Sequence, residues 1–263
     1  VLVHSPRARL AVQAAFFALF LPVFALPFLV IVAASLATGW SGAFPSGATL
    51  DHYRAVTHGD ALDALTTSVL TAVAASAAAL VTGTWAALAA RGTRARRVVD
   101  LLFVLPVAVP SVVVGLSLLV AFSKPPFLLN GTPAIVVLAH TILVTAFAYQ
   151  SVAAALDRLD PACEQAAASL GAGPLRVLVQ VKLPLLLPSL SAAAGLCFAL
   201  SMGELSATMM LYPPDWLPLP VKVFASTDRG ALFPGAALAV VLMVTTLLAL
   251  FAVSRIRTKA AYR

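Results

Sequence analysis

An all-α integral membrane protein with six transmembrane helices is the fold this sequence predicts, and three observations predict it. Of the 263 residues, 61% are hydrophobic and only 10% are charged, against about a quarter charged in an ordinary soluble domain. Apolar stretches long enough to cross a bilayer, which takes roughly 20 residues of helix, occur six times along the chain. The lysines and arginines fall between those stretches and favour alternate loops. A mean hydropathy of +1.00 excludes disorder. A water-soluble enzyme is excluded too, because 27 charged side chains cannot cover a soluble surface of this size and lipid must be most of the solvent.

The first span covers about residues 12–37. It follows Arg7 and Arg9 as a signal peptide would, yet its apolar core far exceeds the roughly 7–15 residues of a signal h-region, so it reads as a retained helix. A polar, irregular segment from Thr38 to Asp63 leads to the second span, residues 64–90. After a short basic connection from Arg91 to Asp100 comes the third span, 101–122, where Pro106 and Pro110 predict a kink. Asn130-Gly131-Thr132 reads as a tight turn before the fourth span, 133–153, although it also matches a glycosylation acceptor. The fifth and sixth spans, 188–211 and 232–253, are joined by a Pro- and Trp-rich segment from Tyr212 to Ala231. With no repeat and no Gly/Ser linker, residues 1–263 read as a single transmembrane domain.

Orientation follows from the cations, because cytoplasmic loops carry the excess of Lys and Arg. With the N-terminus inside, thirteen cations lie in cytoplasmic segments: Arg7, Arg9, Arg91, Arg94, Arg96, Arg97, Arg158, Arg176, Lys182, Arg255, Arg257, Lys259 and Arg263. Four, Arg54, Lys124, Lys222 and Arg229, lie outside. Both termini are therefore expected in the cytoplasm, and the net charge of +7 reports topology rather than a nucleic-acid partner. Cys163 and Cys197 have neither disulfide nor metal-ligand spacing and read as packing residues, so no metal site is expected.

Residues 157–187 form a cytoplasmic loop too long for a turn and too polar to span. Asp160 and Pro161 predict a helix start, Ala162 to Leu170 favour helix, and Gly171 and Gly173 stop it. A second short helix is expected from Pro174 to Val181, with Pro184 and Pro188 breaking the chain again before the fifth span. The small residues Ala166, Ala167, Ala168 and Ser169 let another protein's backbone come close, whereas a bilayer-resting helix would pair bulky apolar residues with Lys and Arg. The plain alternative is a loop that only caps the bundle.

In Gln165-Ala166-Ala167, Gly171 and Leu183-Pro184 the loop resembles the EAA motif of permease subunits from bacterial binding-protein-dependent ABC importers. Aligned on Gly171, the position that usually holds Glu carries Gln165, and the acid stands one residue earlier at Glu164. The resemblance extends along the chain. The stretch SMGELSATMMLYPP, the following LPLPVKVFASTDRGAL, LVAFS before NGT, and LDHY after the first span are similar to permeases of 2-aminoethylphosphonate importers. The Gly-Glu-x-x-Ala-Thr core resembles, more loosely, permeases for thiamine and ferric iron. The resemblance implies a type I ABC importer permease fold in the bacterial inner membrane. It also implies two ATPase subunits, a second permease more readily a related chain than a self-copy, and a periplasmic binding protein. ATP and Mg would sit on the ATPase, since this chain has no GxxxxGK[ST] phosphate loop.

Of the acidic residues, Glu204 alone is expected well inside a span, among Ser201, Ser206 and Thr208. A carboxylate there costs at least ~2.5 kcal/mol unless it faces the bundle interior, water or a partner. It therefore reads as lining the solute path or holding an outer gate, the plain alternative being an interhelical hydrogen bond. His140, the one histidine inside a span, has no acid a turn away and reads as a packing hydrogen bond. A self-contained secondary transporter would call for several intramembrane acids and an inverted repeat, and an intramembrane enzyme for a nucleophile with a base or a metal cluster. Neither pattern is visible, and an ATP-driven importer permease is the reading carried forward.

Overall fold

The computed structural model describes residues 5–42 and 44–261, the side chains of 6 and 256–261 aside. The described residues are helical, with one isolated bridge between Gly39 and Ser46. Contacts group the chain into two compact units: the part up to Leu62 with Lys222–Val241, and Asp63–Val221 with the part from Leu242 onward.

In the first unit, α1 (Pro6–Leu36) is 31 residues long, about 46 Å at ~1.5 Å per residue and ample for a hydrocarbon core of roughly 30 Å. None of its apolar window is buried, and Phe16, Phe20 and Phe24 stack along it at 4.9 and 4.0 Å. The helix stops where Ser35 Oγ donates to the Val32 carbonyl and shares a 2.6 Å hydrogen bond with the Tyr53 hydroxyl. Tyr53 belongs to α2 (Asp51–Val56).

The second unit carries most of α3 (Asp60–Ala90), then α4 (Arg96–Ala108), α5 (Ser111–Ala121) and α6 (Pro133–Arg158). The loop helices α7 (Pro161–Ser169) and α8 (Pro174–Val177) come next. A π-helical turn (Leu178–Lys182) then runs directly into α9 (Leu183–Met202), and α10 (Ser206–Leu211) comes after a break. The chain closes with α11 (Leu219–Asp228) and α12 (Leu232–Ala261), each divided between the units.

Helix α6 is the central element. Ile135, Val136, Ala139, Val144, Ala148, Val152 and Leu156 are buried along it, at the three-to-four-residue spacing that puts side chains on one face. On α3 the residues at that spacing are small: Ala64, Ser68, Ala72, Ala75 and Ala79 are all buried. In lipid, burial against another helix yields little hydrophobic gain, so backbones approach closely instead. A Cβ on Gly83 would stand 2.8 Å from the Tyr149 amide nitrogen, and one on Gly115 would stand 2.9 Å from both Cα and the carbonyl oxygen of Ala207. The Tyr212–Ala231 segment is tied down at its start, where Trp216 Nε1 donates to Thr71 Oγ1 and the Leu219 amide to Ser68 Oγ.

Two of the expected spans are not continuous. The third bends by 101° between α4 and α5, because Val109, preceding Pro110, is forced into an extended conformation (φ −100°, ψ 130°). Pro106 is accommodated inside α4, so the turn is at Pro110. The fifth begins earlier than expected and is broken at Gly203–Leu205. Pro184 does not interrupt it, because the wider π turn just before it leaves room for the ring. Pro188 is carried inside α9.

Gly115→Val pushes a branched side chain into the Ala207 backbone. It is expected to cost about 1–3 kcal/mol of overpacking, read as a melting temperature several degrees lower in detergent. Gly42→Ala, with open space around it, is the control and leaves the melting temperature unchanged.

Candidate functional site

The two helix breaks open onto one cavity of about 330 Å³. Pro106, Val107, Val109, Pro110 and Ser111 at the first break line it together with His140, Leu143, Val144 and Phe147 of α6 and Leu200, Ser201 and Glu204 of the second. Among these, Glu204 carries the only formal charge.

Glu204 does not sit within a helical span as the sequence suggested. Gly203 ends α9, its amide donating to the Ala199 carbonyl, and the Glu204 amide donates to Ser201 O. The Glu204 Oε1 atom then accepts from the Ala207 amide at 2.8 Å and starts α10, as side-chain caps do. The break, which the length of the span conceals, is what places the carboxylate half-buried at the cavity wall.

His140 makes the packing hydrogen bonds the sequence suggested, and its place on the cavity wall was not foreseen. Its side chain is buried, with Nδ1 at 2.7 Å from Ser201 Oγ and Nε2 at 2.8 Å from Thr208 Oγ1. Thr208 Oγ1 donates its single hydrogen to the Glu204 carbonyl, so it accepts from His140 Nε2–H, and Nδ1 accepts from the Ser201 hydroxyl. A neutral imidazole thus bolts the end of α9 to α10 across the break. Its partners are 61 and 68 residues away in sequence, and nothing near His140 signals them. Of the predicted path residues, the structure brings Glu204 and Ser201 to the cavity, buries Thr208 behind them, and leaves Ser206 exposed outside the lining.

The second constellation is at the basic end of the unit. Asp160 Oδ1 caps α7 by accepting from the Ala162 amide. The helix ends at Gly171, whose φ of +84° favours a residue without Cβ. Ala172 N–H bonds to the Ala167 carbonyl and Gly171 N–H to that of Ala168, the double closure of a Schellman motif. Glu164 turns toward the body of the unit, where Arg91 Nη1 reaches Oε1 at 2.5 Å and Lys182 Nζ reaches Oε2 at 2.7 Å. Partial burial pushes its carboxyl up, but the hydrogen bonds from Lys182 and Arg91 outweigh this and hold it below the usual carboxylate range. Close by, Arg96 grips Asp157 through two bonds of 2.8 and 2.6 Å, and the Tyr149 hydroxyl donates to Asp100. Gln165, Ala166, Gly171 and Pro184 are exposed, Ala167 and Leu183 partly covered, and Leu170 and Leu175 stand out at 89% and 73% exposure.

A bundle of long apolar helices, broken around a largely apolar cavity that holds one carboxylate and carrying a capped helical loop at its basic end, defines a membrane permease. The description "binding-protein-dependent transport system inner membrane component" fits residues 79–260, and the chain belongs to that family. It is a multi-pass ABC importer permease, a transport subunit and not an enzyme. It is 46% identical over 258 residues, 97% of each chain, to a Salmonella typhimurium protein provisionally named 2-aminoethylphosphonate transport system permease protein PhnV. It is 30% identical over 237 residues, 87% of this chain and 82% of the other, to the putrescine transport system permease protein PotI of Escherichia coli. In fold it matches a bacterial ABC transporter for the import of alginate, with TM-score 0.73, 14% identity, and coverage of 96% of this chain and 94% of the other. It also matches the MetNI methionine ABC transporter in an inward-facing conformation, with TM-score 0.63, 16% identity, and coverage of 76% and 95%.

His140→Leu strands the Ser201 hydroxyl and removes the bolt. The expected cost is about 1–3 kcal/mol, measured as a drop in melting temperature in detergent. For Glu164 the sign follows from its lowered value: its contribution is complete above the ordinary carboxylate range near about 4.3 and is lost as pH falls through the lower folded value. A nitroxide on the exposed Cys163 of α7 is expected to keep constant mobility from neutral pH down to the ordinary carboxylate range and to loosen only as pH falls below it.

Proposed function

We propose that this chain is the permease through which 2-aminoethylphosphonate enters the cell. What carries the reading is the 46% identity that runs over 97% of both chains to the Salmonella protein of that provisional name. The working assembly is two ATPase subunits, a second, related permease and a periplasmic binding protein. The alginate transporter, solved in complex with its own solute-loaded periplasmic protein, supports the kind of assembly. Both termini face the cytoplasm, on the thirteen-to-four division of cations. Arg263 and the side chains of Arg257 and Lys259 lie outside the described residues.

ATP and Mg²⁺ act on the ATPase partner. This chain's part is mechanical at one end and selective at the other. The Gln165–Gly171 surface of α7 meets the ATPase, and closure there is passed through α8 and the π turn into α9, which leads to the Gly203–Leu205 break. The cavity holding Glu204 and Ser201 lies on the solute path, so a change at the break alters what the cavity faces. Two broken helices around a cavity that holds a carboxylate support this, since irregular backbone at membrane depth is tolerated where it is buried in protein or lines water.

The test is uptake of labelled 2-aminoethylphosphonate by cells with and without the chain, against excess putrescine, phosphate, molybdate, thiamine or ferric iron. Uptake lost on deletion, restored by the wild-type chain and blocked only by phosphonate analogues is the expected result. Unchanged uptake overturns the solute assignment, and block by another competitor reassigns it. Glu204→Gln keeps an oxygen to accept from Ala207 and is expected to fold normally. Uptake should nevertheless fall about tenfold, a loss of roughly 1.4 kcal/mol in the transport step; full uptake reduces Glu204 to a cap.

A further inference from the structure

We infer that Glu164 is a positioning residue of the coupling step: clamped between Arg91 and Lys182, it fixes α7 to the body of the permease and leaves Gln165 to face the ATPase. The inference rests on reading residues 157–187 as the coupling loop and adds what holds that loop in place.

Helix α7 contains no buried residue, so hydrophobic packing does not anchor it. Both oxygens of Glu164 are engaged, one by each cation, and the three side chains are only 23, 27 and 22% exposed. A carboxylate held in this way already has both oxygens drawn to cations of its own chain, and removal from bulk water strengthens each pair. Arg91 also donates to the Leu159 carbonyl, holding the corner that leads into α7. Lys182 is the last residue of the π turn. One residue of register is about 100° around a helix, so the extra residue of the π turn is what aims the ammonium at Glu164. Motion imposed on the exposed face of α7 is thus delivered to the end of α3 and the start of α9 rather than dissipated in a hanging loop.

The experiment uses the full chain assembled with its companion permease and ATPase in proteoliposomes, with binding protein added. Three quantities are read: ATPase retained, basal hydrolysis, and stimulation of hydrolysis by the binding protein. Glu164→Gln is expected to retain the ATPase and basal hydrolysis while stimulation falls about tenfold, as for loss of hydrogen bonds to a charged group. Glu164→Arg falls likewise, and the reversed pair Glu164→Arg with Arg91→Glu recovers most of the stimulation. Full stimulation in Glu164→Gln overturns the inference. So does loss of the ATPase that the reversed pair does not repair, because the carboxylate then meets the ATPase itself. If Glu164→Gln does not accumulate, the reversed pair decides by the same stimulation. Leu170→Arg, on the outward face, separates the underlying reading: if it keeps both ATPase and stimulation, the loop is not the coupling loop, whatever Glu164 does.

Discussion

Everything in this structure answers to one constraint: a peptide group at membrane depth must find its hydrogen-bond partner within the protein. Unbroken helices meet it automatically. This permease departs from them at Val109–Pro110 and at Gly203–Leu205, and each departure is compensated locally. At the first, Pro110 lacks an N–H and its carbonyl accepts from the amides of Val113 and Val114. At the second, the Ala199 and Ser201 carbonyls take the amides of Gly203 and Glu204, and the Glu204 carboxylate takes the Ala207 amide. The breaks are therefore built features, and the cavity exists because the chain turns away from helical geometry on both sides of it.

Close packing of small side chains holds these breaks in register. Helix α5 rests on α10 through Gly115 and Ala207, and α6 meets α3 at Gly83. His140 adds a directional contact where small residues give none, since its two nitrogens determine how far Ser201 and Thr208 stand apart. The basic end works by different means. There the water is near, apolar cover is thin, and charge pairs hold the elements together: Arg96 with Asp157, and Arg91 and Lys182 with Glu164.

Much of the architecture was legible in the sequence because bilayer thickness and helix rise leave little choice about how long an apolar run must be. The spans follow from that length, and the cap at Asp160 and the stop at Gly171 from residue type at a single position. The kink at Pro110 was legible for the same reason, although its angle was not. What stayed hidden involved partners distant along the chain. The break before α10 was not read from Gly203 and Glu204, because the stretch around them is long and apolar enough to pass as one helix. His140 looked isolated since its hydroxyl partners lie on other helices. Arg91, Arg96 and Lys182 were legible as topology signals, yet their carboxylates, 61 and 73 residues away in two cases, were not. The path residues predicted as one set divide into lining and support, a distinction that only the fold can make.

The clamp at Glu164 bears on how such a chain can change over generations. Three positions, 91, 164 and 182, share one balance of charge, and a change at any of them alters what the other two can tolerate. A lineage that loses the acid keeps two facing cations with nothing between them, so the same lineage gains by shedding one. Variation at these sites is thus expected to be inherited jointly rather than singly. The neighbouring Gln165, outside the clamp and facing outward, is free to drift with whatever surface it meets.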